Sequence, residues 1–204
     1  MNAGKRKALV VYCHPTEGSL VSAARDRVLA GLRAAGHEVR LTDLYAEGFV
    51  PELSAWEREH HLDPPEAKAT DVPDLARHAD DLRWCDTLVL VYPTWWSGQP
   101  GMLKGWIDRI WVSGVVYELP SGGNRIRPLL RNVRRLVVVT THGSSKWINA
   151  LQGEGGKRVA MRGLRVLCHP IARTRWLALY KTDRTTLEQR TAFLDRVERT
   201  FTRL

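Results

Sequence analysis

Cysteine is scarce in this chain, acidic residues thin out in its second half, and no long apolar run occurs. The 204 residues include 3 cysteines, Cys13, Cys85 and Cys168. They are odd in number, far apart and at no metal-ligand spacing, so they read as reduced thiols of a cytoplasmic protein. The longest uncharged stretch, 87–103, is broken by Pro93, Gly98, Gln99 and Pro100, which excludes a membrane span. The apolar run 8–13 behind a basic start is too short for a signal peptide, so neither secretion nor membrane insertion is expected. No internal repeat, low-complexity tract, glycine fingerprint or Gly-x-Ser-x-Gly elbow is present, and hydrolase is the poorest reading. The segment 153–157 resembles a Walker loop only superficially. It lacks the first glycine and has Arg158 where Ser or Thr belongs, so it reads as a flexible turn. His60, His61, His78 and His169 have no partners at zinc-like spacing and read as surface residues, and no metal site is expected.

What is present describes one globular domain over residues 1–204: 44% apolar residues, 26% charged, and a net charge of +9. That charge is unevenly placed. Residues 1–120 hold 13 basic and 17 acidic side chains, whereas residues 121–204 hold 18 basic and 5 acidic. Such a field attracts anions, whether phosphorylated cofactors, acidic partners or nucleic acid, although a solvated Arg-rich surface is the plain alternative. Arg158, Arg162 and Arg165 share a helix face, but no nucleic-acid motif accompanies them, so nucleic acid is not the expected partner.

Strand and helix patterns alternate along the chain. Strands are expected at 7–13, around Val39 and Leu41, at 87–92, at 135–141 and at 176–180. Helices are expected from Ser19 to the stop at Gly36, after Ser54, and at 74–84, 101–111 and 157–167. A last helix follows a capping box at Thr185 and Glu188, with Leu187, Leu194, Val197 and Phe201 on one face. Residues 63–73 read as a loop. Alternating elements with strands apolar on both faces predict a five-stranded parallel sheet of order 2-1-3-4-5 inside a three-layer α/β sandwich. Ligands in that architecture bind where the carboxyl ends of the first and third strands diverge. Three loops meet there.

The first, containing His14, Thr16 and Ser19, leads into a helix N-terminus and offers hydroxyls and free amides to a phosphate. The second, Pro93, Thr94, Trp95, Trp96, Ser97 and on to Pro100, is rigid and carries two adjacent tryptophans. Aromatic walls on stiff backbone suit a flat ring, although one of the two rings turned into the core is the plain alternative, as it is for Trp106 and Trp111 on the next helix. The third, Thr140, Thr141, His142 and Gly143, is small and polar after a buried strand.

The stretch Pro93-x-x-Trp96-x-x-x-Pro100-Gly-x-Leu-Lys-Gly-Trp-x-Asp-Arg109 resembles the signature of the flavodoxin-like NAD(P)H:quinone oxidoreductases of the DT-diaphorase type. His14-x-x-x-x-Ser19, Asp43-Leu-Tyr45, Thr140-Thr and Leu151-Gln-Gly153 match in the same order along nearly the whole chain. The resemblance implies a flavodoxin-like fold, with His14, Ser19 and the backbone of Leu20 and Val21 holding the flavin phosphate. Residues Pro93, Thr94, Trp95, Trp96 and Ser97 would lie along the isoalloxazine, with Thr140, Thr141, His142 and Gly143 at its other edge. Asp108 matches a position that reaches a partner subunit's cofactor, Tyr117 an aromatic lining the substrate pocket, and Arg190 a contact at the adenosine end. The chain departs from the family at Val21, where Asn is frequent, and near Asn149 and Gly155, where the family's Tyr and His for hydride transfer would stand.

The expected activity is two-electron transfer from NAD(P)H through a flavin to a quinone-like acceptor in two half-reactions, with His142 or Tyr117 supplying a proton or hydrogen bond. A flavin-bearing electron-transfer or regulatory subunit docking on an acidic partner is the alternative. FAD is favoured over FMN, because residues 121–181 carry 13 basic side chains against Glu154 alone. A homodimer is expected, its interface near 106–117, because Trp111, Val112, Val115 and Val116 read as exposed apolar surface.

Overall fold

The computed structural model describes residues 5–63, 65–68, 72–120 and 125–204. In chain order the elements are β1 (Lys7–Tyr12), α1 (Leu20–Ala34), β2 (Glu38–Asp43), α2 (Ala55–Glu59), α3 (Pro73–Trp84), β3 (Thr87–Pro93) and α4 (Gly101–Ile110). After them come β4 (Tyr117–Glu118), β5 (Arg127–Pro128), β6 (Arg135–His142), α5 (Lys146–Leu151), α6 (Gly155–Arg158), β7 (Arg173–Tyr180) and α7 (Leu187–Thr202). A parallel sheet of order β2-β1-β3-β6-β7 forms the centre, which is the 2-1-3-4-5 order of its five strands taken along the chain. β4 and β5 add a short antiparallel ladder that the sequence pattern does not announce.

Both faces of the sheet are covered, so its central strands bury almost every side chain. All seven residues of β3 are buried. Because alternate residues face opposite sides, β1 sends Leu9 and Val11 into one core and Ala8, Val10 and Tyr12 into the other. The first core holds Leu75, Leu82, Leu103, Trp106 and Ile110 from α3 and α4. The second packs Val21, Ala24, Val28 and Leu32 of α1 against Phe193, Val197 and Phe201 of α7. Each large apolar side chain removed from water in this way contributes about 1.5–3 kcal/mol. Gly31 permits that second contact, since a Cβ there would stand 2.6 Å from the Glu198 carbonyl oxygen and 2.9 Å from Phe201 Cβ.

Several local expectations change in the folded chain. Leu187 is 81% exposed, and Phe193 takes its place on the buried face of α7. The capping box there is Thr186 with Gln189, one residue later than the sequence suggests. Thr185 Oγ1 instead donates to the Thr182 carbonyl oxygen (2.7 Å) and accepts from Arg190 Nε (3.0 Å). Trp106, Trp111, Val115 and Val116 are buried within the chain and Val112 is half-buried, so this segment offers little of the apolar surface expected of an interface. His78 is buried between Phe49 and Trp106, which meet its ring edge-on, and is not a surface residue. Of the 63–73 loop, Pro65–Lys68 is a 3₁₀ turn, while residues 64 and 69–71 lie outside the described residues.

A buried ion pair ties α2 to α4: Arg109 Nε donates to Glu57 Oε1 at 2.7 Å, with both side chains at most 10% exposed. Arg109 also donates to the Val50 carbonyl and lies over the Phe49 ring at 5.1 Å. This clamp fixes the helix that follows the tryptophan loop. Among the described residues, no helix is long and apolar enough to cross a membrane.

Candidate active site

The second loop is a tight hairpin. The amide of Trp95 donates to the Gly98 carbonyl (3.2 Å) and that of Gly98 returns to the Trp95 carbonyl (3.0 Å). Between them Trp96 (φ 48°) and Ser97 (φ 60°) both take the left-handed conformation, the arrangement of a type I′ turn. Such turns favour Asn-Gly, because a side chain at positive φ costs roughly 1–2 kcal/mol per residue. Neither tryptophan packs inward: Trp95 is 42% exposed and Trp96 fully exposed at 102%. The chain therefore holds a large aromatic ring out in solvent on strained backbone, the kind of outlier that accumulates at functional sites.

The hairpin is braced from the far side of the sheet end. Ser97 Oγ donates to Gln152 Oε1 (2.7 Å), the Ser97 carbonyl accepts from the Gly156 amide (2.8 Å), and Gln99 Nε2 donates to the Gly156 carbonyl (2.8 Å). The segment 153–157 is thus no loose turn. It opens α6 and docks against the tryptophan loop, because glycine at 156 lets the two backbones approach.

Below the hairpin, hydroxyls and one imidazole form a connected floor. Thr94 Oγ1 and Thr140 Oγ1 share a hydrogen bond of 2.9 Å, and Thr94 Oγ1 stands 3.4 Å from His142 Nε2. Asn149 Nδ2 is used by Ser144 Oγ and the Ser145 carbonyl, both at 2.8 Å. Its Oδ1 therefore accepts from His142 Nδ1 at 2.8 Å, which assigns the ring proton to Nδ1 and leaves Nε2 as an acceptor. The imidazole is stacked on Tyr180 (4.5 Å, 15°) and 7% exposed. Burial holds its pKa below the ordinary histidine value, against the opposing pull of the Asn149 hydrogen bond, and so favours the neutral ring.

These groups line a cleft of about 210 Å³ formed by Thr94, Trp96, Ser97, His142, Gly143, Ser144, Asn149 and Gln152. Larger hollows occur elsewhere, of about 440 Å³ at the foot of the sheet and 580 Å³ beside α7. The smaller cleft is the better candidate because it lies at the carboxyl ends of β3 and β6, where aromatic and polar groups converge.

The first loop lies beside it, since the Cys13 amide donates to the Val91 carbonyl at 3.0 Å. Ser19 Oγ caps α1 by accepting from the Ser22 amide (3.0 Å), and Gly18 at φ +73° turns the chain into the helix. Among the described hydrogen bonds none uses the Leu20 or Val21 amide, which leaves two first-turn donors for an anion. His14 Nδ1 stays local, accepting from the Thr16 amide at 3.1 Å. Arg25, which sequence reasoning missed, lies over the Tyr12 ring (4.6 Å) and pairs with Glu17 of this loop (2.8 Å).

Of the sequence candidates, Thr94, Trp96, Ser97, His142 and Gly143 come together in the cleft, with Pro93, Trp95, Thr140 and Thr141 adjoining it. Arg190 sits one contact away: its Nη2 donates to the Thr182 carbonyl (3.1 Å), and Thr182 Oγ1 donates to the His142 carbonyl (3.3 Å). Two candidates lie apart. Asp108 is on α4, paired with Lys104 at 2.6 Å, and no described hydrogen bond joins Tyr117 in the β4–β5 ladder to the three loops. Asn149, Gln152 and Tyr180 contact the site residues without having been predicted to do so. Asn149 stands out in the sequence only as a departure from the family, near its hydride-transfer Tyr, and Gln152 only within Leu151-Gln-Gly153.

A family model described as the flavodoxin-like fold matches residues 6–189. The NAD(P)H dehydrogenase (quinone) 1 of Rattus norvegicus is 29% identical over 163 residues, covering 74% of this chain and 58% of that protein. The ribosyldihydronicotinamide dehydrogenase-like protein traD of Penicillium crustosum is 27% identical over 166 residues, covering 74% of this chain and 62% of its own. The matches thus span only about 58–62% of the length of these two relatives. A solved NAD(P)H:quinone oxidoreductase from Methanothermobacter marburgensis superposes with a TM-score of 0.80 at 25% identity, over 98% of both chains.

Proposed function

The chain belongs to the flavodoxin-like fold family, and from that membership we propose that it is a flavin-dependent enzyme oxidising NAD(P)H and reducing a quinone or similar small aromatic acceptor. The names of its relatives support the nicotinamide and the quinone. The observation that carries the reading is the strained hairpin that holds Trp96 fully exposed at the rim of a polar-floored cleft.

The residues present fit a flavin on their own chemistry. The free Leu20 and Val21 amides, with His14, Thr16 and Ser19, would hold its phosphate at the positive end of α1. Pro93, Thr94, Trp95, Trp96 and Ser97 would line one side of the ring system, and Thr140, Thr141, His142 and Gly143 its other edge. When bound, a flavin supplies the hydride chemistry, taking a hydride from the nicotinamide and passing two electrons to the acceptor in a second half-reaction. The protein's part is to orient the reactants, exclude water and manage protons. His142 suits that task as an acceptor: Asn149 fixes its Nδ1 proton, so Nε2 and the Thr94 and Thr140 hydroxyls form a short path along the cleft floor. On the family resemblance alone, Tyr117 would line the acceptor pocket and Asp108 would reach the cofactor of a second copy in a homodimer. FAD is proposed, with FMN the close alternative, because Lys181, Arg184 and Arg190 follow β7 next to the cleft. Three buried free thiols suit a reducing, cytoplasmic setting, with residues 1–204 acting as one domain.

The test is the absorption spectrum of the purified protein, mass analysis of the released chromophore, and NAD(P)H consumption with a small quinone. A yellow protein releasing FAD and turning over quinone is expected. A colourless chain that takes up neither flavin on reconstitution would overturn the reading, and FMN alone would correct the choice of flavin.

A further inference from the structure

The arginine surplus of the second half is not all near the cleft. Arg135 and Arg173 open β6 and β7 and are direct neighbours across the ladder, as are Val137 and Arg175 two residues later. Residues two apart on a strand share a face, so Arg135, Val137, Arg173 and Arg175 all point to the α7 side of the sheet. Arg203, just past the end of α7, comes down on the same spot. With Thr174 and Leu204 they line a hollow of about 440 Å³ that no described Asp or Glu side chain enters, and the Leu204 main-chain oxygen on its rim accepts from Arg6 Nε at 3.1 Å. It lies at the amino ends of the strands. His142 closes the other end of β6, roughly 23 Å away at ~3.3 Å per residue, so these cations cannot serve a phosphate in the cleft.

Among the described residues none of these four guanidinium groups makes a hydrogen bond or ion pair. Other arginines hold carboxylates, Arg25 with Glu17, Arg40 with Asp81, Arg77 with Glu47 and Arg109 with Glu57, while Arg33, Arg131 and Arg134 also stand without a partner among the described residues; the four at the foot of the sheet differ in converging on one hollow. The one carboxylate that acts on Arg135, Asp86, already has both oxygens occupied, by the Lys7 amide (3.1 Å) and Thr87 Oγ1 (2.7 Å). Partial burial and the positive charges of Arg6 and Arg173 hold the Arg135 pKa below its ordinary value. Like charges directly opposite on neighbouring strands destabilise a sheet. The negative end of the α7 dipole offsets some of that repulsion, but only weakly at an exposed helix end.

We propose that this hollow at the foot of β6 and β7 is a second ligand site, built for a small molecule carrying adjacent phosphates. Several planar guanidinium groups around one concavity match the oxygen pairs of a diphosphate, and each can donate two hydrogen bonds to it. The concave shape and the Val137 floor favour a ligand the size of a nucleotide over a nucleic-acid backbone, which would need a long basic track. The site is independent of the cleft's chemistry.

Calorimetric titration of the full chain with inorganic pyrophosphate at physiological ionic strength tests it. Saturable one-to-one binding is expected, weakened about tenfold or more in the Arg135→Gln/Arg173→Gln double variant and unchanged in Arg158→Gln/Arg162→Gln, which alters a different basic face. Without pyrophosphate the first variant should melt at or above the parent temperature, because a repulsive pair is gone. Three outcomes would overturn the proposal: no saturable heat, equal weakening in both variants, or a lower melting temperature for Arg135→Gln/Arg173→Gln. Binding of poly-glutamate without binding of pyrophosphate would overturn it in favour of an acidic protein partner.

Discussion

Trp96 carries opposite demands in one residue. Its backbone sits at φ 48° and its ring makes no buried contact, so stability alone would select glycine there. Trp96→Gly is expected to raise the unfolding free energy by about 1 kcal/mol, since relief of the left-handed strain exceeds the added chain entropy. The same change should raise KM for an aromatic acceptor more than it lowers kcat. Denaturant melts and steady-state kinetics on one preparation check both halves, and a destabilised variant would show that the ring packs after all. His78 illustrates the converse, a polar residue hidden for packing. Burial and the neighbouring Arg77 charge lower its pKa from 6.5 to about 4. The unfolded chain therefore takes up the proton first. Its contribution is complete above pH 6.5 and is lost as pH falls toward 4, about 3 kcal/mol over that window. Urea unfolding across the window should show a shallower pH slope in His78→Leu than in the parent chain.

At the scale of elements, the site depends on two backbones meeting. The hairpin between β3 and α4 rests on the start of α6, and the fit is close: a Cβ on Gly156 would stand 3.2 Å from Gly98 Cα and 3.3 Å from the Ser97 carbonyl oxygen. Gly156→Ala must push the hairpin away by a few tenths of an ångström. Overpacking of this sort costs about 1–3 kcal/mol, so flavin should bind roughly tenfold more weakly while far-UV circular dichroism stays unchanged. An unaltered flavin dissociation constant would mean that the hairpin is positioned by its own turn alone. The sequence shows the helices and strands of this region well, because apolar periodicity is local. It does not show the docking: Gly153-Glu-Gly-Gly reads as loose chain, and only the hydrogen bonds of Gly156 with Ser97 and Gln99 reveal its role.

For the whole molecule, part of the exposed apolar surface lies around the cleft and part lies elsewhere, as at Val50 and Ile171. Trp96, Trp147 and Leu151 are 102%, 74% and 76% exposed, whereas the 106–117 segment expected at an interface turns inward. A two-fold homodimer covering the cleft rim is therefore the expected state. Light scattering should give twice the 23.2 kDa chain mass, and Trp147→Ser/Leu151→Ser should shift it toward the monomer. A monomer at micromolar concentration in the parent chain would refute this.

The sequence by itself determined the alternation of strand and helix, the parallel order of the sheet and the three loops at its ligand-binding end. Each follows from patterns a few residues long combined with connection rules that few topologies satisfy. Tertiary structure alone decided which side chains meet. Asn149 sets the tautomer of His142, Tyr180 stacks on that ring, Gln152 holds Ser97, and Arg203 joins Arg135 and Arg173 from the far end of the chain. It likewise sent His78 inward and left Leu187 outside. These contacts depend on strand register and on how α1 and α7 seat against the sheet. Register and seating are settled by the packing of residues far apart along the chain, so no local pattern encodes them.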